Sequence, residues 1–149
     1  MRQKLNQRGF SILEAVASVF IISLILTTAV SIVINVRNQT EATNERIVAT
    51  EVASRIRDDL VYNNAYDDII SWQNGESVIV TSTTCVSLNT PFDCAIFQYE
   101  SNGRVYDDTM TLIFLAPTTE SGFYQIVHFE IVIEYYPHRF LTIEGIIYE

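Results

Sequence analysis

The chain has 149 residues, 48% of them hydrophobic, with 9 basic against 18 acidic side chains and a formal net charge of −9. That acidity argues against non-specific nucleic-acid binding by the whole surface. The sequence lacks a Gly-rich phosphate loop, a G-x-S-x-G elbow and an H-E-x-x-H pair, so no enzyme class is indicated and no catalytic residue is assigned.

The first nine residues hold Arg2, Lys4 and Arg8 and no acid. They run into Gly9-Phe10-Ser11-Ile12-Leu13-Glu14, and no charged residue then occurs from Ala15 to Val36. As a helix rising ~1.5 Å per residue, that apolar run covers roughly 33 Å, one hydrocarbon core. The basic leader keeps its own end cytoplasmic and sends the rest outward. A secretory signal peptide has a shorter apolar core, ~7–15 residues, followed by a small-residue cleavage site, and no such site follows here. A simple signal anchor explains neither the Gly-Phe step nor Glu14. A carboxylate at the mouth of a membrane span is costly and marks a functional position.

This hexad resembles the processing site of type IV prepilins and of the pseudopilins of type II secretion and competence machines. The resemblance implies cleavage by a prepilin peptidase between Gly9 and Phe10 and N-methylation of Phe10. It also implies that Phe10 and Glu14 serve assembly, with Glu14 one helical turn inside the new N-terminus and facing the N-terminus of a neighbouring subunit. An unpaired buried charge costs several kcal/mol, so that pairing would set the register between subunits. The implied partners are the peptidase, other pilin or pseudopilin subunits met through the N-terminal helix, and the cytoplasmic membrane. No cofactor is implied. Losing the leader takes the formal charge from −9 to −12. Many pilins carry Pro or Gly in the apolar half; this chain has neither between Phe10 and Val36, which favours a minor subunit over the abundant one. It has Ser18, Ser23, Thr27, Thr28 and Ser31 instead. Together with Ala15, such small and hydroxyl residues allow close helix packing in a membrane. The alternative is that the hydroxyls bond back to their own helix.

Beyond the apolar run the helix continues, because no Pro or Gly occurs between Phe10 and Asn74. Ile47, Val48, Val52, Ile56 and Leu60 recur at helical spacing, opposite a face carrying Glu41, Glu45, Arg46, Glu51, Arg55, Arg57, Asp58 and Asp59. Glu51 and Arg55 stand in the favourable i, i+4 order. One helix from Ser11 to about Tyr62 is expected, roughly 78 Å long, its second half lying on the chain's own sheet.

From about Asp68 the period changes. Ile69–Trp72, Asn74-Gly75 and Ser77–Ser87 read as a hairpin, since Asn-Gly is a strong turn signal. Ala95–Glu100 reads as a short strand with a Ser101-Asn102-Gly103 turn. Thr109–Ala116 is almost wholly apolar and reads as a central strand, and Pro117–Gly122 as a polar loop. From Phe123 to Tyr136 the residues alternate, with Val127, Phe129, Ile131, Ile133 and Tyr135 on one face. Pro137-His138-Arg139 turns the chain and Phe140–Tyr148 returns. Consecutive strands with short turns imply an antiparallel sheet.

Cys85 and Cys94 both fall outside the cytoplasm in this topology, where disulfides persist. A bridge between them contributes roughly 2.5–3 kcal/mol in the chain-entropy model; the alternative is two reduced thiols. The resemblance implies a disulfide too, though in pilins it usually closes a loop nearer the C-terminus. No metal site is assigned: His128 and His138 lack zinc-like spacing with the cysteines. Asp58-Asp59, Asp67-Asp68 and Asp107-Asp108 read as solvated turn residues, not as a calcium loop. Trp72, Phe92 and Phe123 read as core or loop-packing residues.

The expected fold is therefore α+β: a long N-terminal helix, membrane-spanning in its first half and amphipathic in its second, packed on a C-terminal antiparallel β-sheet. The expected divisions are 1–9 leader, 10–36 transmembrane and assembly helix, 37–63 amphipathic extension and 64–149 extracytoplasmic β domain. The leading function is a minor pilin or pseudopilin. Composition rich in Ile, Asn and Tyr, with the short leader and absent Pro, points to a Gram-positive competence-type system. The second reading is a non-assembling, single-pass membrane-anchored binding domain.

Overall fold

The computed structural model describes residues 11–148. The leader, Gly9 and Phe10 lie outside the described residues. The chain divides into two compact units between Glu41 and Ala42. The boundary falls inside the first helix, α1, which runs over Ile12–Asn63, against the expected end near Tyr62.

The described part of the first unit is the start of α1. Its side chains are almost all exposed, and an 18-residue window within the helix reaches a mean hydropathy of 2.5 with none of it buried. This is one helix long and apolar enough to cross a membrane, near the N-terminus. Its hydroxyls bond back to their own helix. Ser18 Oγ donates to the Glu14 carbonyl at 2.7 Å, Ser23 Oγ to that of Val19 at 2.8 Å, and Ser31 Oγ to that of Thr27 at 3.0 Å. Thr27 and Thr28 bond the carbonyls of Leu24 and Ile25 in the same way. Each hydroxyl is thereby satisfied in an apolar medium without a partner helix.

The second unit carries the rest of α1, packed on an antiparallel sheet. Val48, Val52, Ile56 and Leu60 of the expected stripe are buried, joined by Ala42, Ala49 and Ala53; Ile47 is exposed instead. The buried alanines belong to the same face, and a stripe that includes them leaves position 47 outside it. Helix α2 covers Tyr66–Gln73, strand β1 Val78–Thr81, β2 Glu100–Ser101, β3 Arg104–Val105, β4 Met110–Phe114, helix α3 Thr119–Phe123, β5 Ile126–Tyr136 and β6 Arg139–Tyr148. The main sheet has the order β1-β4-β5-β6, and β2-β3 form a separate small hairpin. As expected, β4 is central and β5 turns into β6 through Pro137-His138. Val127, Phe129, Ile131 and Ile133 point into the core with Leu112, Phe114 and Ile147.

Three expectations are corrected. Ile69–Trp72 belongs to α2, not to a hairpin strand. Asp67 and Asp68 sit in its first turn, where the macrodipole favours acids. Asn74, with φ +50°, ends it in the left-handed conformation and donates to the Ile70 carbonyl; the Asn-Gly pair thus caps a helix instead of reversing a hairpin. Ser77–Ser87 holds only the four residues of β1, because the hydroxyls of Thr81 and Thr84 bond their own backbone and turn the chain. Ala95–Glu100 is mostly a 3-10 turn over Cys94–Gln98, capped by Asp93, with Tyr99 extended and only Glu100 in a strand. In addition, α3 takes up most of the expected Pro117–Gly122 loop and Phe123 as well, opened by reciprocal bonds between Thr118 and Ser121, so the strand expected from Phe123 starts only at Ile126.

Candidate functional site

Glu14 lies in the first turn of α1, its backbone N–H donating to the Ser11 carbonyl at 2.9 Å. It is exposed, and it is the acid at the head of an uncharged run that reaches Val36. A carboxylate there faces the positive end of the helix dipole, and among the described residues it joins no ion pair. Leu13, Val16, Val19 and Phe20 around it are equally exposed. The described surface of this unit therefore offers Glu14, an uncharged apolar belt to Val36, and then Arg37 and Glu41, and the belt suits a membrane or other helices.

The second unit has a polar clamp between α1 and the β2-β3 hairpin. Arg104 Nη2 meets Glu45 Oε1 at 2.7 Å, and Ser101 Oγ donates to Glu51 Oε2 at 2.7 Å. The expected Glu51–Arg55 pairing is thus displaced: Glu51 takes the Ser101 hydroxyl, while Arg55 lies over the Tyr99 ring, 6.0 Å from its centroid. Among the described residues the ion pairs are Arg104–Glu45 and Arg57–Asp58. Burial raises the Tyr106 phenol above its usual range, helped by the Glu45 carboxylate and opposed by Arg104. Burial also raises Tyr99, reinforced by Asp59.

Cys85 and Cys94 form a disulfide with Cα atoms 5.9 Å apart. The enclosed loop is tied to the core through Trp72, whose indole Nε1 donates to the Leu88 carbonyl at 2.9 Å. Trp72 packs edge-on against Phe92 and Phe114, so both Trp72 and Phe92 are packing residues as expected; Phe123 is exposed, against Tyr124. Among the described residues no three His, Cys, Asp or Glu side chains come together as a metal site. Asp58 pairs with Arg57, Asp59 accepts from Asn63, and Asp108 donates its backbone N–H to Asp107. The clamp has no local signature in the sequence, because its residues are about fifty positions apart.

No protein-family model, no curated protein and no solved structure matches this chain.

Proposed function

We propose that this chain is a minor pilin or pseudopilin. A prepilin peptidase cleaves it between Gly9 and Phe10 and methylates Phe10, and the product joins a type IV pilus-like fibre by its N-terminal helix. The observation that carries the reading is Glu14: a lone carboxylate in the first turn of α1, at the head of an exposed apolar stretch that stays uncharged to Val36, directly after a basic leader and the Gly-Phe step. Cleavage creates a positive α-amino group within about a turn of that carboxylate, and a neighbouring subunit's N-terminus neutralises it in the fibre core. The basic leader orients the protein with its N-terminus cytoplasmic and its sheet outside, a side on which the Cys85–Cys94 bridge persists. The Ile-, Asn- and Tyr-rich composition favours a competence-type DNA-uptake pseudopilus among the candidate systems. The work is mechanical, and a separate ATPase supplies the energy.

Co-expression with a prepilin peptidase and partner prepilins tests the assembly step. The wild-type chain is expected in the sheared fibre fraction, while Glu14→Ala stays processed but membrane-bound. Equal retention of both in the membrane would favour the anchored binding domain.

A further inference from the structure

Strand β6 is an edge of the main sheet, with β5 on one side and no strand on the other among the described residues. Which backbone groups face the open side follows from the ladder. The Leu115 N–H donates to the His128 carbonyl and the Glu134 N–H to that of Thr109, so the even-numbered residues of β5 turn their polar groups towards β4. Val127, Phe129, Ile131 and Ile133 then turn towards β6, where their register partners are Ile147, Gly145, Ile143 and Leu141. By alternation, Phe140, Thr142, Glu144 and Ile146 present their N–H and C=O groups outward. The same residues hold the solvent-facing side chains: Phe140 is 61% exposed and Ile146 42%, and Tyr148, next in the series, is 60% exposed. On the core face Leu141 and Ile143 are only half-buried.

Natural edges of this length are usually guarded by Pro, Lys, a bulge or a covering loop. Within 139–148 there is no Pro and no Lys, and the one irregularity of the pair lies on the β5 side, between Glu134 and Tyr136. The charge pattern is equally one-sided. Glu130 and Glu144 stand directly opposite each other, which is unfavourable for like charges. Neither joins an ion pair among the described residues; Arg57, which lines the same groove of about 580 Å³ as Glu130, Glu144 and Ile146, is engaged by Asp58.

We propose that β6 is a strand-addition site for an extended segment of a different protein, apolar on both faces and carrying Lys or Arg opposite Glu144. The segment becomes a fifth strand: its backbone pairs with the outward groups of Phe140, Thr142, Glu144 and Ile146, and its cation relieves the Glu130–Glu144 repulsion. A second copy of β6 does not supply that cation. In antiparallel self-pairing that keeps the sheet faces continuous, residues of like parity meet, so Arg139 falls on the face opposite Glu144. This site is independent of N-terminal processing.

The test uses the full chain in nanodiscs and three synthetic ten-residue peptides. Two carry valine and isoleucine on both faces, one with a central arginine and one with a central glutamate; the third copies residues 139–148. Binding is read by peptide fluorescence anisotropy, and its place by residue-resolved amide exchange. The arginine peptide is expected to bind and to protect the amides of Phe140, Thr142, Glu144 and Ile146. Glu144→Gln should weaken it about two- to fivefold, the worth of one cross-strand charge pair. Thr142→Pro removes one outward N–H and should abolish binding. Should that variant misfold, the arginine peptide N-methylated on alternate amides must also fail to bind the unaltered protein. Equal binding of the arginine and glutamate peptides, tighter binding of the 139–148 copy, or no protection along β6 overturns the proposal.

Discussion

Gly145 sits directly across the ladder from Phe129, and a Cβ built on it would come within 2.2 Å of the ring's Cζ. The ring is 1% exposed and packs against Phe114 with centroids 5.8 Å apart, so a Cβ at 145 obliges this packed ring to shift. Gly145 therefore holds its place through the space it leaves empty, its backbone being ordinary strand. Gly145→Ala should cost about 1–3 kcal/mol by overpacking, read as a lower denaturation midpoint. Phe129→Leu, which alone is destabilising, should recover part of that loss in the double variant. Additive losses would show that the two side chains do not compete for one volume.

The Arg104–Glu45 pair joins an exposed end to a sheltered one: the Arg104 side chain is 54% exposed and that of Glu45 12%. Glu45 Oε2 has no hydrogen-bond partner, so the carboxylate depends on Arg104. Arg104→Met strands that charge and should cost about 1–3 kcal/mol. Adding Glu45→Met should return much of it, because removing both partners is cheaper than removing one. A denaturation cycle with no coupling would contradict the clamp.

The Cys85–Cys94 loop and the single tryptophan report on each other, since Trp72 donates to the Leu88 carbonyl inside the loop. Replacing both cysteines by serine should lower stability by roughly 2.5–3 kcal/mol and shift the Trp72 emission to the red as its loop contact loosens. Unchanged emission together with unchanged stability would mean that the bridge does not hold this loop in place.

Alkaline pH should find the two raised phenols. Burial lifts Tyr99 and Tyr106 above 10.0, with Asp59 and Glu45 reinforcing the shifts. A folded pKa above the unfolded one means that the folded state favours the protonated phenol. The stabilisation is then complete below pH 10 and is lost as pH rises through the folded values. Melting temperature should fall on that limb, and Tyr106→Phe should make the fall shallower. An identical alkaline slope in the variant would remove Tyr106 from the account.

The long helix is legible because no Pro or Gly occurs between Phe10 and Asn74 and its second half keeps a helical stripe, although the break at 64–65 that separates it from α2 carries neither residue. Large residues alone place Ile47 inside the stripe and pass over Ala49 and Ala53; burial follows the helix face, on which the alanines are as buried as Leu60. The β4-β5-β6 meander was legible from alternation. Ile69–Trp72 was not, because a four-residue apolar run has no period and Asn-Gly serves a hairpin and a helix cap through the same positive φ. Of the candidate site, Glu14 and the cysteine pair stood out as local oddities. The contacts of Ser101 and Arg104 with α1 join residues that no local pattern connects.

The central claim is N-terminal processing, and intact mass of the membrane-extracted protein, with and without a co-expressed prepilin peptidase, tests it most directly. The account predicts loss of residues 1–9 and gain of one methyl group with the peptidase present, abolished by Gly9→Val. An uncut chain beside a peptidase that processes a control prepilin would contradict it and leave a membrane-anchored binding domain.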